Sequence, residues 1–317
     1  MRALVTGGAG FIGSNLVDAL LAAGAEVLVV DDLSTGRRSN LEEALARGAG
    51  LAEADIADGA GLAETVDGFG PEAIFHLAAQ ADVRKAIADP VFDANVNVLG
   101  TINLLEAAVR HRARVVFAST GGAIYGEGEG RELPFREDAL SLPETAYGAS
   151  KLSAEAYVGL YRRLYDVPGL ALRFANVYGP RQDPHGEAGV VAIFSGLLQE
   201  GRPLRVFGDG EQTRDYVYVG EVVAALLAAE AVLAERGTAI EGPYNIGTGV
   251  ETSVIDMARK LANAAGAEAE IEHHPARTGE VQRVAIDPEA ARRDLGWEAR
   301  VELTDGLAST AAALARS

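Results

Sequence analysis

Residues 6–15 read TGGAGFIGSN, and two readings compete for them. They follow the apolar residues Ala3, Leu4 and Val5, and Gly7, Gly10 and Gly13 fall in a GxxGxxG spacing. Glycine admits the tight turn from strand to helix and lets backbone amides approach a pyrophosphate at the helix N-terminus. A ligand-free, glycine-rich βα turn reads the same way, so the neighbours must separate the two. Here the loop, with Phe11 and Ile12 inside it, opens the amphipathic stretch SNLVDALLAAG, and the next apolar run, EVLVVDD (26–32), ends in Asp31 and Asp32. An acid at that position accepts hydrogen bonds from the adenosine ribose and repels a 2′-phosphate, so NAD is expected rather than NADP. Arg37 and Arg38 follow closely and suit a phosphate, but Asp31 outweighs them because it stands at the strand end. Further on, EADIAD (53–58) places Asp55 and Ile56 where an adenine edge is held, or else on a solvated loop.

Outward from this loop, short apolar runs alternate with helical patterns. ALVTGG (3–8), EVLVVDD (26–32), AIFHLAA (73–79), RVVFAST (114–120) and LALRFANVYG (170–179) read as buried parallel strands. Alternating β and α units predict an α/β chain, a Rossmann-type doubly wound parallel sheet. After about residue 177 the rhythm changes, with a polar loop, GPRQDPHGEAG, and short strands such as LRVFGDG (204–210). The helix VGEVVAALLAAEAVLAE and the strand PYNIGTG then look able to rejoin the first domain, which leaves a smaller discontinuous α/β domain beside it.

Composition narrows the partners. A formal net charge of −18 argues against nucleic acid and anionic membranes. The absence of cysteine removes disulfides, zinc–thiolate sites and thiol catalysis together, and the histidines (His76, His111, His185, His273, His274) show no metal-ligand spacing. No metal is expected. MRALVTGG runs into a strand with no room for a signal sequence, and the apolar stretch near residues 16–30 is broken by Asp18, Gly24 and Glu26, so a cytoplasmic location is the default.

YGASK (147–151) sets Tyr147 and Lys151 one helical turn apart on one face. A free tyrosine has a pKa of roughly 10, too high for a base at neutral pH. A neighbouring ammonium, helped by a cationic nicotinamide, favours the phenolate. Tyr157, Tyr161 and Tyr165 on the same helix show the other reading, tyrosines used for packing.

With these residues in view, the chain resembles the extended short-chain dehydrogenase/reductase superfamily. The motifs TGGAGFIGSN, HLAAQADV, FASTGGAIYGE, YGASK, LRFANVYGPRQ, FGDGEQTRDYVYV and YNIGTG occur in order across nearly its whole length. Within that superfamily it is most similar to the nucleotide-sugar 4-epimerases, typified by those acting on UDP-glucose. The resemblance implies Tyr147 as the base, Lys151 as its tuner and ribose holder, and a hydroxyl partner at Thr120, with Ser119 as alternate. It implies a cofactor wall from Ser34, Thr35, Gly36, Leu77, Ala78, Ala79, Gln80 and Asn97. Asn176, Arg214 and Arg277 match positions at the substrate diphosphate, with Glu280 at the nucleotide ribose; each reads otherwise as a turn or surface residue. The expected division is 1–176, with returning segments within about 214–248, for NAD, and 177–213 with 249–317 for the nucleotide sugar. A homodimer is implied, with helices near 97–111 and 147–165 in a four-helix bundle.

The residues after Thr120 bear on the reaction. Related 4,6-dehydratases place an Asp–Glu pair there and related decarboxylases a glutamate; here stand Gly121, Gly122 and Ala123. Glu127 and Glu129 read as solvated loop charges. Without the extra acid, the simplest chemistry remains, hydride out and hydride back at carbon 4 of a UDP-hexose such as UDP-galactose or UDP-glucose. Val284 falls where some relatives carry an aromatic beside the sugar 2-substituent, which suggests room for an N-acetyl group. UDP-glucuronate and UDP-N-acetylhexosamine 4-epimerases are the competing enzymes, and a non-catalytic NAD-binding sensor or scaffold is the competing non-enzyme.

Overall fold

A computed structural model describes residues 1–184, 189–277 and 280–314; His185 lies outside them. Strands β1 (Arg2–Thr6), β2 (Glu26–Asp31), β3 (Gly50–Glu53), β4 (Ala73–His76), β5 (Arg114–Thr120) and β6 (Gly169–Phe174) alternate with helices. With a later strand, Tyr244–Ile246, they form one parallel sheet of seven. Strand period two sends neighbouring residues to opposite faces. Ala3, Val5, Phe75 and Val116 therefore join one core with the helices Phe11–Ala22 and Val219–Arg236. Leu4, Ile74, Val115 and Phe117 join another with Gly59–Phe69, Gly100–His111 and Ala146–Tyr165. Helices on both faces are the doubly wound arrangement.

Strand order is Tyr244–Ile246, then β6, β5, β4, β1, β2 and β3. The order reverses between β1 and β4, and the helices there leave to opposite faces, so a crevice opens at the strand C-termini.

The remaining strands are β7 (Asn176–Tyr178), β8 (Leu204–Phe207), β9 (Thr213–Tyr218), β10 (the Tyr244–Ile246 strand), β11 (Glu251–Ser253), β12 (Ile271–His274) and β13 (Arg283–Val284). β7, β11 and β13 all pair with β9, and β8 pairs with β12. Tyr178, Phe194, Leu204, Val206, Tyr216, Met257 and Leu261 make a separate core beneath them.

The structure refines the sequence reading at several places. The run 170–179 is two strands, because the chain leaves the large sheet after Phe174 and pairs Asn176 with Tyr216 in the smaller one. β3, short and only half-buried, carries no apolar run and was not legible as a strand. β9 belongs to the smaller sheet, and the helix from Val219 that follows it packs on the large one, within the returning span of about 214–248. In addition, Ala291, Leu295 and Trp297 pack into the first core, with Trp297 donating to the Glu221 carbonyl at 2.9 Å, so part of 249–317 also returns. Among the described residues no helix is long and apolar enough to cross a membrane.

Candidate active site

A groove of about 1560 Å³ lies at the C-terminal ends of β1 to β5. Gly7 turns out of β1 at φ +68°, and a Cβ there meets the Ala78 nitrogen at 2.6 Å, so the loop lies against the backbone that follows β4. At Gly13 a Cβ meets the Gly7 carbonyl oxygen at 2.2 Å. The helix Phe11–Ala22 starts at Gly10 with no side-chain cap and no acid in its first turn. Its N-terminal amides therefore face the groove without a protein carboxylate to compete for them, which fits a pyrophosphate. Asp31 is buried and accepts from the amides of Ala9 and Leu33, both at 2.9 Å; these two bonds fix its carboxylate at the edge of the groove. Burial raises its pKa, and those amides lower it again in part. A Cβ on Gly36 would lie 2.7 Å from the Asp31 Oδ1, so only glycine leaves that oxygen open. These features fit NAD. Arg37 pairs with Asp183, so one of the two cations near a possible 2′-phosphate is already engaged.

All but one of the residues expected at the cofactor line this groove: Gly7, Gly10, Phe11, Ile12, Gly13, Asp31, Asp32, Ser34, Thr35, Gly36, Asp55, Ile56, Leu77, Ala78, Ala79, Gln80, Tyr147 and Lys151. The exception is Asn97, which is buried behind the wall and brackets Gln80: its Oδ1 accepts from the Gln80 amide and its Nδ2 donates to the Gln80 carbonyl, both at 2.9 Å.

The Ala146–Tyr165 helix brings the tyrosine and lysine in. Thr145 caps it, accepting from the Gly148 amide at 3.1 Å. A Cβ on Gly148 would stand 2.4 Å from the Ala123 carbonyl, so glycine here lets the helix start press against the turn after β5. Lys151 is buried, with Nζ 4.3 Å from the centre of the Phe117 ring. Burial pushes its pKa down to about 7, against the pull of Glu155 and Asp93. Burial, and then the Asp93 charge, push Tyr147 up to about 12. The protein's own groups thus hold Tyr147 as a neutral phenol, so that the expected shift towards the phenolate falls to Lys151 together with the cationic nicotinamide. Desolvating the anion outweighs an ammonium that is itself only marginally charged.

A titration follows. Below pH about 7 Lys151 is charged, and above it neutral. The folded chain loses this proton before the unfolded one, so the lysine's contribution to stability grows as pH rises from about 7 towards the ordinary lysine value of roughly 10.4. The ¹³Cε resonance of Lys151, assigned by loss in Lys151→Arg, is expected to titrate near pH 7; a midpoint above 9 would mean that Nζ is solvated.

Ser119 lines the groove, but its hydroxyl donates to Glu155 Oε1 at 2.5 Å. The Thr120 hydroxyl instead faces the space above Gly122, where a Cβ would lie 3.9 Å from it and 3.7 Å from Asn176 Oδ1. A Cβ on Gly121 would meet the Ile286 Cδ1 at 2.7 Å, so a side chain in that place requires Ile286 to shift. On the smaller sheet, Arg214 sits 3.8 Å from Glu280, and the Arg277 guanidinium lies 3.8 Å above the Phe207 ring. These three form a second polar face outside the groove lining. Val284 is 3% exposed and packs with Tyr125, Phe135 and Ile286, filling space rather than opening it.

The sequence reading missed several residues. Asp93 is fully buried; its Oδ1 accepts from Gln80 and Asn97, each at 3.0 Å, and its Oδ2 has no hydrogen-bond partner among the described residues. Glu155 anchors Ser119 and Arg173, and Pro180 to Pro184 line the groove mouth. Glu155 was detectable as an acid one turn beyond Lys151 on the same helix; Asp93 carried no such signal. Among the described residues no cluster of metal-ligating side chains forms.

The model of the NAD dependent epimerase/dehydratase family matches residues 3–247. A UDP-glucose 4-epimerase of Mycolicibacterium smegmatis is 49% identical over 313 residues, 98% of this chain and 97% of that one. The crystal structure of a Thermotoga maritima UDP-glucose 4-epimerase with UDP-glucose superposes with a TM-score of 0.92 at 41% identity, covering 100% of this chain and 99% of that one. A Thermus thermophilus UDP-glucose 4-epimerase in complex with NAD gives 0.89 at 41% identity, with 99% of each chain covered.

Proposed function

Because the chain belongs to the NAD dependent epimerase/dehydratase family, we propose that it is a UDP-glucose 4-epimerase, an NAD-dependent isomerase that interconverts UDP-galactose and UDP-glucose. The observation that carries the reading is the meeting of Tyr147 and Lys151 with a dinucleotide groove in which no acid follows Thr120. When bound, NAD supplies a reversible hydride acceptor and a positive ring charge. With that charge and the Lys151 ammonium offsetting the cost of burial, Tyr147 would act as the phenolate, whose Oη takes the proton of the sugar 4-hydroxyl and returns it after the 4-keto sugar has turned over in the site. Lys151, kept dry under Phe117, holds the ribose and adds positive charge beside the phenol. Thr120 orients the 4-hydroxyl; support for it over Ser119 is that Glu155 already holds the Ser119 hydroxyl. Arg214, Arg277 and Asn176 take the nucleotide diphosphate, where the guanidinium fork suits paired phosphate oxygens, and Glu280 takes the nucleotide ribose.

We assign the large sheet to the cofactor and the smaller sheets to the nucleotide sugar. We also assign a homodimer, supported by Leu99, Leu164 and Tyr165, which are about half or more exposed on the helices of the expected bundle. A cytoplasmic location fits a cysteine-free chain.

The test is purified protein incubated with UDP-galactose and no added cofactor, with products read by NMR. UDP-glucose is expected. A stable 4-keto-6-deoxy product would make it a dehydratase, and conversion of UDP-glucuronate or UDP-N-acetylglucosamine alone would move the substrate. Bound NAD with no turnover of any of these would favour the sensor.

A further inference from the structure

Glu127, read from sequence as a solvated charge, is a joint between the two parts of the molecule. Its Oε2 accepts from the Gln282 amide at 2.5 Å, and its Oε1 from the amides of Arg283 at 3.0 Å and Glu129 at 2.7 Å. Beside it, the Gly128 amide donates to the Arg283 carbonyl at 2.9 Å, and a Cβ on Gly128 would stand 2.4 Å from that oxygen. The loop after Tyr125 and the strand β13 are thus pressed together, with one carboxylate taking two amides across about 155 positions of chain and a third from its own loop. Burial raises the pKa of this carboxylate, but the amides of Gln282, Glu129 and Arg283 outweigh it and hold the group ionised.

What hangs from this joint is the nucleotide face. On its other side the 282–284 segment pairs with β9: the Gln282 carbonyl accepts from the Thr213 amide at 2.8 Å, and Val284 stands opposite Arg214. Gln282 Nε2 donates to the Glu280 carbonyl at 2.8 Å, which ties Glu280 to the same short strand. The strand is only two residues long, too short to hold its own register. The loop carrying Glu127 follows β5, whose end bears Thr120, through a single helical turn, Gly121–Ile124.

We infer that Glu127 is a positioning residue: it sets the distance between the end of β5 and the Arg214–Glu280–Arg277 face, and so how tightly the nucleotide end of the substrate is held. This rests on reading that face as the nucleotide end of the substrate.

The test uses full-length, NAD-loaded wild type, Glu127→Gln and Glu127→Ala, with KM and kcat for UDP-galactose, calorimetric Kd for UDP, bound NAD and melting temperature. Glutamine places an amide N–H against a backbone N–H, and alanine removes all three bonds. Both variants are expected to keep NAD and to raise KM and the UDP Kd by about tenfold, the size of one lost charge-assisted bond. kcat should stay within about threefold of wild type, since the groove that holds Tyr147 and Lys151 is not touched. Unchanged KM and UDP affinity in both variants overturns the inference. So does an equal fall in kcat, NAD content and melting temperature, which marks a merely structural role. Wild type that binds UDP but does not turn over UDP-galactose refutes the proposed substrate instead, and the UDP affinities of the variants still decide on Glu127. If wild type binds no UDP, both readings fall.

Discussion

Tyr147→Phe is expected to lower turnover of UDP-galactose by about 10³-fold, the usual worth of a positioned acid–base group, while the purified protein keeps its NAD. Phenylalanine preserves the ring that forms the groove wall, so cofactor binding through the glycine loop and Asp31 is not disturbed. What is lost is the only phenol among the described residues lining the groove. Of its neighbours, Ser119 is held by Glu155, and the Lys151 ammonium has no lone pair to accept a proton below pH about 7. Turnover is read by UDP-glucose formation, and NAD by its absorbance after denaturation. A variant keeping a tenth of wild-type turnover would place the proton on another group. One that has lost NAD as well would show that Tyr147 builds the groove rather than working in it.

Glu155→Ala is expected to cost about 3–5 kcal/mol of stability, because it strands a buried guanidinium, on the order of 10 °C in melting temperature. Glu155 and Arg173 have side chains only 7% and 5% exposed, with Arg173 Nη2 and Nε donating to the carboxylate at 2.7 and 3.0 Å. Burial works against the Arg173 charge, and the bonds to Glu155 more than restore it. Arg173 Nη1 continues to the Tyr125 hydroxyl at 2.7 Å, and Tyr125 donates to Asn245 Oδ1 at 2.8 Å, so the pair braces β6, β10 and the turn after β5 together. The same carboxylate raises the pKa of Lys151 and accepts from Ser119, so survivors of the substitution should also titrate Lys151 below 7. Glu155→Gln keeps one acceptor and is expected to lose about half as much. A melting temperature within 2 °C of wild type in the alanine variant would mean that water reaches Arg173.

Much of this was legible in advance. TGGAGFIGSN, the strand-end Asp31 and the alternating apolar runs specified the parallel sheet and its cofactor groove, because strand period and glycine turns are local properties. YGASK specified a shared helix face for the same reason. The meeting of Arg214 with Glu280 had no local signal, since it depends on a pairing of distant strands.

By itself, then, the sequence determined the order of elements, the glycine turn, the acid that favours NAD and the facing of Tyr147 with Lys151. All of these rest on spacing within one element or one turn. Only the tertiary structure decided the rest: that Asn97 braces the wall instead of lining it, that Ser119 is tied to Glu155, that Val284 is core, and that Glu127 is a joint. It also decided that burial makes Tyr147 a phenol in the protein alone. Desolvation and long-range hydrogen bonds depend on which distant segments fold against a group, and that is set by the packing of the whole chain.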